Sequence, residues 1–276
     1  MNAVLSRNAP RIDHRTALAN QHWTYASGDY AAVGNALQMV SEELCESVNL
    51  CQAQRVLDVA AGNFTASLAA ARRWCDVTTT DQGSDRNQRS RQRIEAEATG
   101  VRFVPGDAEG LPFADQSFDA VLSSFGAMFA VDQERAASEM IRVCRRGGQV
   151  GLANWTPEGF IGQLFKAVGE HAPPGTAVIS PCAWGTAARL TELFGAYGNL
   201  WVTHKRVAFR SRTPMDWVDK LRTSYLPVVK TFAALDSAGK RALRSALLEL
   251  VAKFNRATDG TMVVDAEYLE VLVTRR

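Results

Sequence analysis

Three carboxylates stand in or just after short apolar or β-branched runs. Asp58 lies inside Arg55-Val56-Leu57-Asp58-Val59, four residues before Gly62. Asp81 closes Val77-Thr78-Thr79-Thr80, and Asp107 follows Val101-Arg102-Phe103-Val104 through Gly106. An ionised carboxylate only accepts hydrogen bonds, so each can hold an N–H or O–H group of a ligand. The turn Ala60-Ala61-Gly62 lets the backbone bend tightly and come close to a bound molecule. It is not built for a pyrophosphate: G-x-G-x-x-G is absent, Gly62 is its one glycine, and no Lys or Arg sits in it. The candidate general bases are His14, His22, His171 and His204. Nothing in their spacing gives the mutual geometry a base requires, so no catalytic residue is named. The five cysteines (Cys45, Cys51, Cys75, Cys144, Cys182) are odd in number and scattered, with no C-x-x-C pair. They read as buried free thiols in a reducing cytoplasm, not as disulfides or a metal site.

The elements that must position these groups follow from pattern. Val56, Leu57 and Val59 predict a strand buried on both faces. Ala66 to Arg73 are good helix formers, with Leu68 as packing bulk. Val77 to Thr80 predict a second strand, Val101 to Val104 a third and Ala120 to Ser124 a fourth. Gln133 to Cys144 repeats Ala136, Met140 and Val143 at helical spacing, and Gly147-Gly148 is expected to end that helix and turn the chain into a fifth strand, Val150 to Asn154. Helices are predicted for Glu158 to His171 and Trp184 to Tyr197, then a strand for Leu200 to Phe209. Met215 to Asn255 reads as helical, broken near Pro227 and around Ser237-Ala238-Gly239, and Val263 to Val273 is the last strand. Upstream, His22 to Asn49 predicts two helices, the second carrying Leu37, Val40, Leu44 and Val48 on one face. The fold class is α/β: a Rossmann-like, seven-stranded, mostly parallel sheet with helices on both faces, N-terminal helices and a helical insertion as lid. Ligands bind such sheets at the carboxyl ends of the strands. The expected organisation is a helical arm and cap over 1–50, a cofactor-binding core over 51–155, and the remainder of the sheet with its lid insertions over 156–276, all in one compact domain.

Composition excludes several classes. With 276 residues, 46% of them apolar, the chain can bury a full core. A net charge of +2 does not imply nucleic acid. Arg86, Arg89, Arg91 and Arg93 cluster after Asp81, but no aromatic residue interleaves to stack on bases, and Glu95 and Glu97 offset part of the charge; a solvated helix face is the favoured reading. No run of eighteen apolar residues exists, so no membrane span is expected. The first fifteen residues lack the apolar middle of a signal peptide, and a cytoplasmic protein is expected.

Taken together, Asp58, the small-residue turn, Asp81, and Gly106-Asp107-Ala108-Glu109 followed by Leu111-Pro112-Phe113 and Ser117-Phe118-Asp119-Ala120-Val121 resemble the class I S-adenosylmethionine (SAM) dependent methyltransferases, in particular UbiE-like ones. Gly28-Asp29-Tyr30, Trp155-Thr156-Pro157-Glu158-Gly159 and Tyr268-Leu269-Glu270-Val271 resemble segments of small-molecule members, and the likeness covers about residues 20 to 275. The resemblance implies SAM as cofactor, with Asp81, beside Gln82, holding the ribose hydroxyls. It implies that Asp58, with the turn of Ala60, Gly62 and Asn63, holds the methionine end. Asp107 would bond the adenine amino group and Ala108 would offer its backbone N–H. Ser124 would accept from the methionine ammonium, Phe125 and Met128 would line the methyl-transfer region, and Tyr30 would face the pocket from a lid. One departure stands out: Phe64 occupies a position that is usually glycine. Asn63 tolerates a left-handed conformation and is expected to take part of the bend. The Phe64 ring either narrows the methionine pocket or points into the core.

The partner implied is a small organic methyl acceptor, reacting through O, N or C, with no nucleic acid and no membrane; a homodimer stays open. Two other readings stay open beside it: a methyltransferase acting on RNA or protein, and a SAM-binding or partner-binding protein without catalysis, for which Phe64 speaks. A nicotinamide-dependent oxidoreductase ranks last, because the glycine turn is wrong for pyrophosphate.

Overall fold

The computed structural model describes residues 31–82, 92, 94, 97, 100–172 and 181–276. Tyr30, Trp23, His14, His22 and the arginines 86, 89, 91 and 93 lie outside the described residues. Seven strands form one sheet in the order β3-β2-β1-β4-β5-β7-β6. They are β1 (Arg55–Val59), β2 (Asp76–Thr80), β3 (Arg102–Phe103), β4 (Phe118–Ser124), β5 (Cys144–Trp155), β6 (Gly198–Ser211) and β7 (Met262–Arg275). β3, β2, β1, β4 and β5 pair in parallel, and β7 runs antiparallel between β5 and β6. The first strands read as continuous apolar runs because both of their faces are covered.

Among the described residues there are eight α-helices. α1 (Ala31–Ser47) and α2 (Thr65–Ala71) pack on one face, where Leu44, Val48, Ala66, Ala69 and Ala70 meet Val56, Val77, Ala120 and Leu122. The small side chains of α2 let it lie close to the sheet, and all seven of its residues are buried. α3 (Gln133–Val143) presents Ala136, Ala137, Met140 and Ile141 to the main core, and Asp132 caps it by accepting from Arg135 N–H at 2.9 Å. α4 (Phe160–His171) and α5 (Ala187–Phe194) follow β5. α6 (Pro214–Ser224), α7 (Leu226–Ala234) and α8 (Ser237–Phe254) form the insertion between β6 and β7. Phe160 of α4 meets Trp217 of α6 and Phe254 of α8, with ring centroids 5.0 and 5.6 Å away. That aromatic cluster ties the insertion to the sheet.

Two boundaries differ in kind from expectation, and a third, the break before Ser237, is present and has a definite form. Gly147-Gly148 does not end α3: the helix stops at Val143, with Cys144 already extended. The glycines instead form an irregularity in the β4–β5 register between Phe118 and Ala120, where a Cβ on Gly148 would lie 2.6 Å from the Asp119 carbonyl oxygen. The helix expected from Trp184 begins at Ala187, after a 3₁₀ turn over Pro181–Gly185. Gly185 runs so close to β5 that a Cβ would sit 1.9 Å from the Trp155 carbonyl, and Thr186 then caps the helix. Ser237-Ala238-Gly239 opens α8 rather than merely breaking a helix, because Asp236 Oδ1 accepts from Gly239 N–H at 2.7 Å.

Candidate functional site

The carboxyl ends of β1, β2 and β4 bring the predicted residues together. β1 ends in a tight turn with three left-handed residues: Ala60 (φ 53°), Gly62 (φ 53°) and Phe64 (φ 58°). Asn63 is not among them, so the bend expected of it falls on its neighbours. Phe64 carries the strain at the start of α2 because its ring is 2% exposed and packs edge-on against Phe103 at 6.1 Å. Burial of a phenyl ring offsets the roughly 1–2 kcal/mol that a left-handed non-glycine residue costs. Of the two expected placements, the ring takes the one in the core. Gly62 faces open space, since a Cβ there would meet nothing within 4 Å.

Two loops close on this turn. A Cβ on Gly126, just past β4, would lie 2.1 Å from the Ala60 carbonyl oxygen, so the β1 and β4 loops touch backbone to backbone. Ser123 Oγ braces the contact by donating to the Val59 carbonyl (2.8 Å) and accepting from Ala127 N–H (2.8 Å). On the other side, Asp81 Oδ2 accepts from Gly62 N–H at 3.0 Å. The β2 carboxylate therefore lies against the turn, with Gln82 exposed beside it.

Asp58 is 1% exposed. Its Oδ2 accepts from Ser67 N–H (2.8 Å) and Ser67 Oγ–H (2.6 Å), while Oδ1 is buried without a partner. Burial raises its pKa to about 7 against the lowering effect of the two Ser67 bonds, with the nearby Asp81 charge adding to the rise. A buried carboxylate oxygen without a partner and with a raised pKa is poised to take a cationic or donor group.

Asp107 opens the loop after β3. Its Oδ1 accepts from Glu109 N–H at 2.9 Å, its carbonyl accepts from Gly110 N–H at 3.0 Å, and Oδ2 has no partner among the described residues. Ala108 N–H is likewise without a partner among them, so an acceptor and a donor stand on adjacent residues, the pair that reads the edge of a planar heterocycle. This loop is held from behind. Arg142 donates to the carbonyls of Phe113 (2.7 Å) and Leu111 (3.0 Å), and Glu139 accepts from Leu111 N–H (2.8 Å). The Arg142 bond keeps the Glu139 carboxyl below its usual range.

Ser124 bonds to Ser41 of α1 at 3.1 Å. Phe125 (φ 59°) stacks on Trp155 with centroids 3.8 Å apart and planes 11° apart, and meets Tyr268 edge-on at 5.6 Å. Trp155 also contacts Phe209 at 6.0 Å. These four rings form a buried aromatic cluster that starts at Phe125, just past β4, and Met128 lies in the same core. The two described histidines carry no base geometry: His171 Nδ1 lies 2.8 Å from the Ala167 carbonyl of its own helix, and the exposed His204 pairs with Glu267 at 3.1 Å. Among the described residues no group of His, Cys, Asp and Glu could hold a metal ion, and no helix is long and apolar enough to cross a membrane.

Sequence reasoning missed Ser67, Ser41 and the Arg142–Glu139 brace, whereas Gly126 is expected from its place just past the fourth strand. Tyr268 was visible only as part of a motif. Ser41 and the bonds from Arg142 to Leu111 and Phe113 have no local signal, because their partners lie well away along the chain.

Donor, acceptor and open turn fit an adenosine joined to an amino acid. The family of the methyltransferase domain matches residues 57–152. The chain is 34% identical to an uncharacterized protein of Mycobacterium tuberculosis, over 98% of this chain and 99% of the relative. It is 38% identical over 111 residues to the demethylmenaquinone methyltransferase of Renibacterium salmoninarum, covering 40% of this chain and 45% of that one. The crystal structure of the YcgJ protein from Bacillus subtilis superposes with a TM-score of 0.60 at 17% identity, over 88% of this chain and 99% of that one. The chain belongs to the class I SAM-dependent methyltransferases. It is an enzyme of that class, and S-adenosyl-L-methionine is its cofactor.

Proposed function

We propose that this methyltransferase acts on a small, flat, largely apolar acceptor through an O, N or C nucleophile. The observation that carries this reading is the buried cluster of Phe125, Trp155, Phe209 and Tyr268, which starts next to the Gly126–Ala60 contact, since stacked rings favour a planar partner. The similarity to a demethylmenaquinone methyltransferase supports the same class of acceptor. SAM supplies an electrophilic methyl carbon whose leaving group is a neutral thioether, so departure needs no acid.

The chain's own work is to hold the two reactants in line. In this reading Asp81, with Gln82 beside it, accepts from the ribose hydroxyls. Asp107 and the Ala108 N–H take the adenine edge. Asp58, the turn of Ala60, Gly62 and Asn63, and Ser124 hold the methionine end. Phe125 belongs to the aromatic cluster, and Tyr30, proposed as a lid residue from the resemblance, lies outside the described residues. No base is assigned; one is needed only where the acceptor's nucleophile carries a proton. The five free thiols support a reducing, cytoplasmic setting, and Trp201, 53% exposed on edge strand β6, supports pairing of two copies. No nucleic acid or membrane enters the proposal.

Incubating the protein with SAM and a panel of quinols, phenols and small amines, followed by mass spectrometry, tests it. A gain of one methyl on a flat acceptor, lost in Trp155→Ala, is expected. Methylation confined to RNA or protein would overturn it.

A further inference from the structure

The insertion α6–α8 carries a feature that the methyl-transfer site does not use. A cavity of about 390 Å³ opens between its helices, lined by Arg222, Phe232, Ala233, Lys240, Arg241 and Arg244. Four of the six are cations. Arg244 pairs with Asp219 at 3.3 Å, whereas Arg222, Lys240 and Arg241 form no ion pair among the described residues. The acid nearest in sequence to Lys240 and Arg241, Asp236, is committed to capping Gly239 N–H. Arg222 lies over the Phe232 ring at 5.9 Å, a contact that leaves its guanidinium charge uncompensated.

Placement makes the concentration of charge costly. Residues 214–254 hold seven Lys and Arg against four Asp and Glu, a surplus larger than the +2 of the whole chain. Three of these cations, Lys240, Arg241 and Arg244, fall in the N-terminal half of α8, whose first turn contains no acid. Lys240 and Arg244 are like charges four residues apart on the helix and repel one another. A bound anion would remove that penalty.

We propose that this cavity is a binding site for a phosphate-bearing anion, its charge held by Arg222, Lys240 and Arg241 and its remainder resting on Phe232 and Ala233. Guanidinium forks and an ammonium around one concavity match phosphate oxygens. The phosphate can be that of a soluble ester or of a lipid headgroup. The proposal is independent of the acceptor and of the cofactor-site assignments.

The test uses the full chain, wild type and K240E/R241E, with R102E/K166E as a control of equal charge change on exposed side chains elsewhere. Circular dichroism melts establish that all three fold. Calorimetry with inorganic pyrophosphate at low salt, and co-sedimentation with phosphatidylglycerol against phosphatidylcholine vesicles, then read binding. Expected is binding of pyrophosphate, or of phosphatidylglycerol vesicles, weakened at least ~10-fold in K240E/R241E and retained in R102E/K166E. Pyrophosphate binding assigns a soluble ligand, and vesicle binding alone assigns a headgroup. Equal loss in both variants, no loss in K240E/R241E, or no binding of either probe by folded wild type overturns the site.

Discussion

Replacing Asp58 by Asn probes the buried charge at the centre of the site. In the folded chain the carboxyl titrates at about 7, against an ordinary 3.8, because it is buried and faces Asp81. A raised acid pKa means the folded state binds the extra proton between those two values. Stability is therefore highest when Asp58 is protonated and declines as pH rises toward about 7, with the penalty fully present above it. One proton held by the folded state alone is worth about 1.4 kcal/mol for each step of one in pH, so moving from pH 8 to pH 6 stabilises the wild type by roughly that amount through Asp58 alone. The Asp58→Asn side chain keeps an oxygen for the Ser67 donors and has no charge to bury, so the variant lacks this component. Urea denaturation of both proteins without cofactor, at pH 6 and pH 8, reads the difference. The variant is expected to be the more stable protein at pH 8, with the gap closing by about 1.4 kcal/mol at pH 6. Parallel pH profiles for the two proteins would refute a buried, proton-holding Asp58.

The same variant is expected to weaken SAM, with wild-type affinity rising with pH through about 7 and the variant's affinity flat, as calorimetry over pH 6–8 would show. Asp81→Ala removes the partner of Gly62 N–H and a charged acceptor, and should weaken SAM roughly tenfold to several hundredfold by calorimetry. Phe64→Gly relieves a left-handed residue but empties a buried site; a net loss of about 2–3 kcal/mol in urea midpoint analysis is expected, with SAM affinity within about twofold of wild type. Arg142→Ala frees the carbonyls of Leu111 and Phe113, and should cost about 1–3 kcal/mol of stability and several-fold in SAM affinity without touching the cofactor.

Much of this fold was legible because β1 and β2 are buried on both faces beyond their first residue and so read as short apolar or β-branched runs with an acid within or just after them. Asp58, Asp81 and Asp107 stood out for that reason: Asp81 bonds the turn, Asp58 bonds the helix that follows it, and the Asp107 loop meets Asp81 through Gly106 N–H. The left-handed residue was not legible: Asn63 has the better intrinsic preference, but Phe64 gains more by burying its ring on Phe103 than the conformation costs. Gly147-Gly148 looked like a helix stop and is a strand irregularity, because nothing local distinguishes a glycine that ends a helix from one that lets two strands approach. Ser41 and Arg142 act through contacts set by the topology, with Ser124 and with the carbonyls of Leu111 and Phe113, which no short window of sequence contains.

Titration calorimetry of the purified chain with SAM and with its demethylated product, alongside Asp81→Ala, tests the central assignment most directly. Micromolar binding of both ligands by the wild type, with a clear loss in the variant, is the predicted result. A folded wild type that binds neither, or a folded Asp81→Ala that binds both as tightly, would contradict it.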